Sequence, residues 1–293
     1  MARSNATKSP LVRTQFLIFT LFGDYVVPRE GRIWTSSLIY LMELLGQNES
    51  AVRSTLSRMS QKGWIKASKH GRRSQYSITP RGRLLLEEGQ RRIFESIYSD
   101  WDGTWHLVLY SLPERQRRKR HALRTKLLWL GFGRLGPGAW ITAHNRQNEL
   151  HSIISDLSLE SCVDMFSGAH LGPHPVQELV LRCWDLEGLT KQYQGFVDRN
   201  QPEYLGCLKQ IDERQPLEPE EYFTRRFWFT HEFQSFPLKD PNLPTQLLSP
   251  DWIGFTAREL FDNYRQLLGS YTEKFIDEVI CGDGLSSFRR LRP

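Results

Sequence analysis

The sequence predicts a multi-domain α+β protein, with an N-terminal winged helix-turn-helix, a central ferredoxin-like domain and a mainly helical C-terminal domain. Three observations lead there: three helix patterns followed by a basic hairpin pattern, then alternating strand and helix patterns, then helical segments rich in aromatic residues. The chain has 293 residues, of which 39% are hydrophobic and 25% charged, and this is typical of globular domains. We place the domains at residues 1–100, 101–181 and 182–293.

Charge and composition narrow the function classes. The net charge is +6, but residues 1–100 alone carry 16 basic and 8 acidic residues, so the front third is the candidate polyanion binder. No apolar run approaches a membrane span and no secretory signal is visible, so we expect a cytoplasmic protein without a membrane partner. The cysteines lack metal-binding spacing, and we expect buried free thiols and no metal at Cys162, Cys183, Cys207 and Cys281.

The first hundred residues carry the pattern of a winged helix. Helices are expected over 14–22, 37–45 and 49–61, and Asn48 is placed to cap the third. This third helix has one apolar stripe at i, i+4 and i+7, which predicts a buried face. The stripe consists of Val52, Leu56 and Met59.

The opposite face of the third helix carries small and hydrogen-bonding side chains that suit a DNA major groove. Two β-rich segments around a basic, glycine-containing turn follow, as in a wing that lies on the DNA backbone or in the minor groove, and a helix over about 81–98 comes next. The alternative is that these cations are only solvated. The predicted DNA-binding residues are Ser50, Arg53, Ser54, Ser57, Arg58, Lys66, Lys69, Arg72, Arg73 and Gln75.

The middle segment predicts a ferredoxin-like sandwich. Gly131 to Gly136 fits a G-x-G-x-x-G pattern, but a helix precedes it and a strand follows, so we interpret it as a turn and expect no dinucleotide or other cofactor. The basic helix over 113–130 leaves three interpretations open: a solvated face, a second DNA-facing or dimer-linked surface, or a clamp for coenzyme A phosphates. The expected elements are strands over 106–112, 139–143, 161–167 and 178–182, and helices over 113–130 and 145–157.

The C-terminal third predicts helices over 186–199, 257–268 and 271–280. The aromatic residues of 223–233 stand at helical spacing, which favours a core over a ligand pocket, although aromatic helices are also a place where an apolar pocket forms. The residues proposed to line or brace an effector pocket are Arg226, His231, Asp240 and Trp252.

Several of these segments together resemble the PaaX family, the transcriptional repressors of phenylacetic acid degradation genes. The resemblance rests on Asp24–Arg29, Ser50–Met59, Gly63-Trp64 and Gly71–Tyr76, and it continues through the middle and C-terminal segments. It implies a Cas2-like central domain and an aryl-CoA thioester effector such as phenylacetyl-CoA. Glu30 departs from the family, in which a small residue, often glycine, is expected, and this leaves the shape of that loop open.

The predicted function is that of a sequence-specific transcriptional regulator, a homodimer that binds an inverted-repeat operator in double-stranded DNA and is released by the acyl-CoA effector. No catalytic motif is present, so we expect no enzyme and no catalytic residue. One alternative is a metal-dependent nuclease that acts through the Cas2-like domain, since such chemistry needs carboxylates at the metal. Cas2-type enzymes place an aspartate at the end of the first strand, and the resemblance puts Ser111 at about that position here. Another alternative is a DNA-binding regulator without a small-molecule effector.

Overall fold

The computed structural model describes residues 14–94, 100–237 and 239–281. The chain divides into two compact units, of which the first comprises Met1–Ile93, Tyr204–Glu232 and Asp262–Pro293, and the second Phe94–Glu203 and Phe233–Phe261. No helix among the described residues is long and apolar enough to cross a membrane. The end of the helix predicted to reach residue 98 lies outside the described residues. The division into three domains stays a prediction.

The N-terminal part of the first unit is a winged helix. Its three-stranded antiparallel sheet has the order β1-β3-β2, and α1 continues into a π-helical turn and a short 3₁₀ turn before β1. The third helix lies where the sequence predicts it, and the second begins two residues earlier. The elements are α1 (Thr14–Leu21), β1 (Arg32–Trp34), α2 (Thr35–Leu44), α3 (Glu49–Gln61), β2 (Ile65–His70), β3 (Arg73–Ile78) and α4 (Pro80–Phe94).

The C-terminal third is helical, as expected, but its helices are longer than predicted. They are α8 (Leu186–Asp212), α9 (Pro219–Phe233) and α10 (Ile253–Cys281). Two helices were predicted within α10, separated near Gly269, and this prediction is wrong. The helix continues because Leu268 and Thr272, one turn apart on either side of Gly269, are both fully buried on one face.

The hydrophobic core of the first unit joins the winged helix to C-terminal residues. Aromatic and aliphatic side chains of α9 and α10 share one buried cluster with α1, α2 and α3. Tyr25, for example, lies 5.5 Å from Phe223 and 6.5 Å from Phe227 between ring centroids. The C-terminal members are Phe223, Phe227, Phe275, Ile276, Val279 and Ile280. The preference for a core role of the aromatic segment is therefore confirmed.

The second unit contains the ferredoxin-like fold. The element order β4-α5-β5-β6-α6-β7 is βαββαβ, and the sheet order β5-β6-β4-β7 places the first strand between the third and the fourth. Ferredoxin-like architecture is thus confirmed. The elements are β4 (Trp105–Tyr110), α5 (Arg117–Trp129), β5 (Gly133–Gly136), β6 (Ala139–Thr142), α6 (Gln147–Leu157), β7 (Val163–Gly168) and α7 (Val176–Cys183).

Two predictions in this region are wrong. The segment 178–182, predicted as a strand, lies in α7, where Leu179, Val180 and Cys183 form a buried face at helical spacing. The glycine-rich segment predicted as a turn contains β5, which pairs with β6. Gly133 makes this possible, since a Cβ there would lie 2.5 Å from the Trp184 ring.

The cysteines are free, but only two of them are buried. Cys183 and Cys207 are buried, Cys162 is half-buried and Cys281 is exposed at the end of α10. The expectation of burial was wrong for the last two, because Cys281 stands at a helix end and Cys162 precedes an edge strand.

Candidate nucleic-acid interface

The helix α3 is fixed at both ends by its own sequence. The Asn48 side chain accepts a hydrogen bond from the Ala51 amide at 2.8 Å, as an N-cap should. Gly63 follows the helix with a φ of +68°, a conformation that glycine adopts without strain. The apolar stripe predicted from the sequence is completely buried, so the opposite face of α3 is turned outward.

All five residues predicted on this outward face are exposed: Ser50, Arg53, Ser54, Ser57 and Arg58. The two guanidinium groups are each held by a neighbour on the same helix. The Nε of Arg53 lies 2.7 Å from a carboxylate oxygen of Glu49, one turn earlier. Arg58 donates from Nη2 to the hydroxyl of the buried Thr55 at 3.0 Å. Both cations therefore stand ordered on a face that is otherwise small and polar.

The wing is a tight hairpin of β2 and β3. His70 and Arg73 form its last pair, so only two residues make the turn, and Gly71 has a φ of +61°. This is the pattern of a type II′ turn, which has glycine at its first position. Of the predicted wing residues, Lys66, Lys69, Arg72 and Arg73 are exposed and Gln75 is half-buried.

Trp34 supports the tip of the wing, and the sequence did not identify it. Its ring lies 5.7 Å from the His70 ring in an edge-on arrangement, and the Arg73 guanidinium lies 6.0 Å from its centroid. Trp34 precedes α2 and pairs with Gln75 in the sheet, a position visible only once the β1–β3 register is known.

The segment that forms this surface carries almost only positive charge. No aspartate or glutamate occurs between Glu49 and Glu87, whereas nine lysines and arginines do. A continuous cationic segment that presents an exposed helix face and a hairpin has the charge and shape that a DNA duplex needs.

The four candidate effector residues fall into two separate environments. Arg226 and His231 belong to the first unit, and Asp240 and Trp252 belong to the second. Asp240 is buried and accepts from the Tyr193 hydroxyl and the Asn242 amide at 2.7 Å each, and the centroid of the Tyr193 ring lies 6.0 Å from that of Trp252. Burial raises the pKa of Asp240, and the two hydrogen bonds only partly oppose this rise.

Arg226 and His231, the two candidates in the first unit, have an ion-pair partner and a hydrogen-bond partner in that unit. Arg226 is buried and its Nη1 lies 2.5 Å from a Glu273 oxygen. His231 lies on α9 with its Nδ1 3.3 Å from the Thr20 hydroxyl, and burial lowers its pKa. Three of the four side chains thus make hydrogen bonds within the protein, and an effector would have to exploit or replace these bonds.

The residue at the end of the first strand of the ferredoxin-like fold, where the Cas2 resemblance leads us to expect an aspartate in a nuclease, is a serine. Ser111 directly follows β4, is exposed, and its amide donates to the Cys162 carbonyl at 3.1 Å. A hydroxyl is a poor sole ligand for a divalent metal.

Comparison with known proteins agrees with this geometry. Three family descriptions match successive segments: "PaaX-like protein" over residues 13–82, "PaaX protein central Cas2-like domain" over 98–180 and "PaaX-like protein C-terminal domain" over 184–278. The Escherichia coli (strain K12) protein named "Transcriptional repressor PaaX" is 30% identical over 265 residues, which cover 89% of this chain and 82% of that protein. Among solved structures, the uncharacterized protein Rv0674 from Mycobacterium tuberculosis has the same fold, with a TM-score of 0.60, 23% identity, and coverage of 90% of this chain and 99% of that one. This chain therefore belongs to the PaaX family of transcriptional repressors.

Proposed function

We propose that this protein is a cytoplasmic, homodimeric regulator that binds an inverted-repeat DNA operator through α3 and the wing, and that an aryl-CoA thioester releases it. The observation that carries the DNA part is the exposed α3 face beside a cationic hairpin, with no carboxylate between Glu49 and Glu87. The name of the Escherichia coli relative supports a regulatory role rather than an enzymatic one.

In the proposed binding mode, α3 and the wing contact different parts of the DNA. The small side chains of α3 allow the helix to approach the floor of the major groove, where Arg53 and Arg58 reach base edges or phosphates. The wing places Lys66, Lys69 and Arg72 on the backbone or in the minor groove, which adds affinity with little sequence information. Two copies related by a two-fold axis would read the two halves of an inverted repeat.

In this proposal, binding of the effector and binding of DNA are thermodynamically coupled. An acyl-CoA thioester releases the protein only if it binds the DNA-free conformation more tightly than the DNA-bound one. Arg226, His231, Asp240 and Trp252 stay the candidates for its pocket. A phenylacetyl group specifically is what the family resemblance suggests.

The DNA proposal is tested by selecting duplexes from a random library with the full-length protein and measuring their affinity by fluorescence anisotropy. Enrichment of an inverted repeat is expected, and no enrichment would contradict the proposal.

Arg53→Ala should weaken binding of the selected duplex by ~1–3 kcal/mol if the side chain contacts a base. Arg72→Ala should weaken selected and random duplexes alike and reduce the salt slope by about 1. Lys191→Ala, an exposed α8 lysine paired with Glu187, is the control.

The effector proposal is tested separately, by a thermal-shift screen of acyl-CoA thioesters against free coenzyme A and the free acids. A thioester that raises the unfolding temperature and also displaces the selected duplex supports the proposal. If no thioester changes the unfolding temperature, a regulator without a small-molecule effector is favoured, and the proposal of DNA binding is not affected.

A further inference from the structure

The helix α5 carries a second concentration of positive charge, outside the winged helix. Residues 113–126 contain seven lysines and arginines and one glutamate, a net charge of +6, which equals the formal net charge of the whole chain. The buried side of α5 is formed by Leu123 and Leu127, which pack into the core of the second unit. The charge is therefore confined to the outer side.

Most of these cations are exposed and lack ion-pair partners. Arg120 pairs with Glu114 at 2.6 Å, and Lys119 donates to the Ser158 carbonyl at 3.2 Å. Five others are exposed and form no ion pair with any residue that the structure describes. They are Arg115, Arg117, Arg118, Arg124 and Lys126.

Ordinary solvated helix faces in the same protein look different. On α8, the exposed Lys191 lies 2.6 Å from Glu187 and the exposed Lys209 lies 3.7 Å from Glu213, each one turn away. The same spacing holds Arg225 to Glu221 on α9. No carboxylate lies within α5, and Glu114, four residues before Arg118, pairs with Arg120 instead. The remaining outer cations therefore repel one another unless an external anion lies beside them.

The placement of the charge also works against helix stability. Four cations, residues 117–120, occupy the first turn of α5, and this turn holds no acidic residue. The positive end of the helix dipole lies there, so cations in this turn destabilise the helix and anions stabilise it. Stability of the fold therefore does not account for this charge, whereas binding of an anionic partner does.

The spacing suits an extended polyanion rather than a single anion. Arg117, His121 and Arg124 follow the i, i+4, i+7 line of one face, and Arg118 stands beside them. Arg117 and Arg124 are separated by about 10 Å along the helix axis. Charges spread over two turns on a convex helix face match a row of phosphates better than the compact phosphates of one coenzyme, which are usually held in a concave pocket.

We propose that the outer face of α5 is a second, sequence-independent contact surface for the phosphate backbone of duplex DNA. The inference rests on the proposed DNA-binding function and adds to it. The α3 face and the wing select the site, and α5 adds affinity by releasing counterions without reading bases.

The test uses the full-length protein and compares the double variant Arg117→Gln/Arg124→Gln with the charge-matched control Lys191→Gln/Lys209→Gln. Affinity for the selected duplex with long flanks and for random duplexes is measured as a function of salt. The α5 variant should lower both affinities about ten-fold or more at ~0.1 M salt and reduce the salt slope by about 2. The ratio of the two affinities should stay unchanged, and the control should bind as the unmodified protein does. The unfolding temperature of the α5 variant should be equal or higher, since it removes a cation from the first helical turn.

The outcomes separate the two claims. If the α5 variant keeps its affinity and salt slope while Arg72→Ala loses both, the α5 inference is wrong and DNA binding through the wing stands. If the control loses as much as the α5 variant, net charge rather than an α5 contact explains the effect, and the inference fails. A change in the affinity ratio, or an effect on acyl-CoA binding alone, would also overturn it. If the unmodified protein binds no duplex, the proposed function fails and the inference fails with it.

Discussion

Arg29 and Glu273 form an ion pair between residues 244 positions apart in the chain, with Nη2 and Oε2 at 2.5 Å. The other oxygen of Glu273 binds Arg226, and the Nε of Arg29 binds Asp277 at 2.6 Å. Arg29 ends the segment Asp24–Arg29, one of the segments that carry the family resemblance. This segment was assigned to the winged helix from the sequence, and in the structure it also binds the C-terminal helix α10.

Glu273→Gln should destabilise the protein by about 1–3 kcal/mol at neutral pH, because Arg29 and Arg226 are nearly buried and each loses a charged acceptor. Burial alone would raise the pKa of Glu273, but the hydrogen bonds from the two arginines lower it below its ordinary value of 4.5. The stabilisation is therefore complete above that value and is lost as the pH falls through the lowered pKa.

The measurement is denaturant unfolding between pH 7 and pH 3. The difference between the unmodified protein and Glu273→Gln should shrink at the acid end. Glu278→Gln, an exposed change on the same helix, is the control and should differ little at any pH. Equal destabilisation by both variants, or a difference that does not depend on pH, would contradict a role for the ion pair.

Phe227→Ala should destabilise the winged helix from outside its own sequence. Phe227 is fully buried in the cluster that α1, α2 and α3 share with α9 and α10, so its removal should cost about 3–5 kcal/mol. Hydrogen exchange should show faster exchange in α1 and α2 as well as in α9. Phe166→Ala, at a half-exposed position in the second unit, should change stability by no more than about 0.5 kcal/mol. Unchanged exchange in α1 and α2 would mean that the winged helix folds independently of α9.

Thr55→Val should weaken operator binding although Thr55 itself is buried and touches no DNA in the proposed mode. Its hydroxyl accepts from Arg58 at 3.0 Å and so orients that guanidinium. Loss of one such hydrogen bond should lower the affinity about three- to ten-fold, less than Arg58→Ala does. In an Arg58→Ala background, Thr55→Val should have no further effect on affinity. An equal loss in both backgrounds would show that the hydroxyl acts through the fold and not through Arg58.

Gly71→Ala should destabilise the wing by about 1 kcal/mol and lower the affinity for DNA, because Gly71 has a φ of +61° and alanine is strained there. No heavy atom lies within 4 Å of the added Cβ, so the cost is conformational rather than steric. Gly89→Ala in α4 also has free space, and it should instead stabilise the protein by up to about 1 kcal/mol. Thermal unfolding and anisotropy measure both variants. Opposite signs are expected, and equal signs would contradict the assignment of the turn.

The sequence predicted the elements whose signals are local. Asn48, the stripe ending at Met59 and Gly63 define α3 within a few residues of chain, and the hairpin around Gly71 is similarly local. Features that depend on distant partners were missed. The strand beginning at Gly133 approaches the Trp184 ring too closely for any residue with a Cβ, and α10 continues past Gly269 because its buried face is covered by other elements.

The same limit applies to the candidate sites. The exposed DNA-facing residues follow from the buried stripe of α3, since one face of an amphipathic helix fixes the other. The support of the wing tip by Trp34 and the pairing of Arg226 with Glu273 require tertiary contacts, and no spacing in the sequence indicates them.

Glu30→Gly should stabilise the protein by about 0.5–1 kcal/mol, in contrast to most substitutions that delete a side chain. Glu30 has a φ of +68° and lies in the left-handed region, which is strained for any residue with a Cβ. Glycine adopts this conformation without strain, which agrees with the glycine that the family resemblance leads us to expect at this position. The side chain pairs with Arg32, but both groups are largely exposed, so the pair contributes little. Glu30→Ala removes the same ion pair and keeps the Cβ, so thermal unfolding should show a gain for glycine and none for alanine. An equal gain for both would mean that the charge, and not the backbone conformation, is the source of the strain.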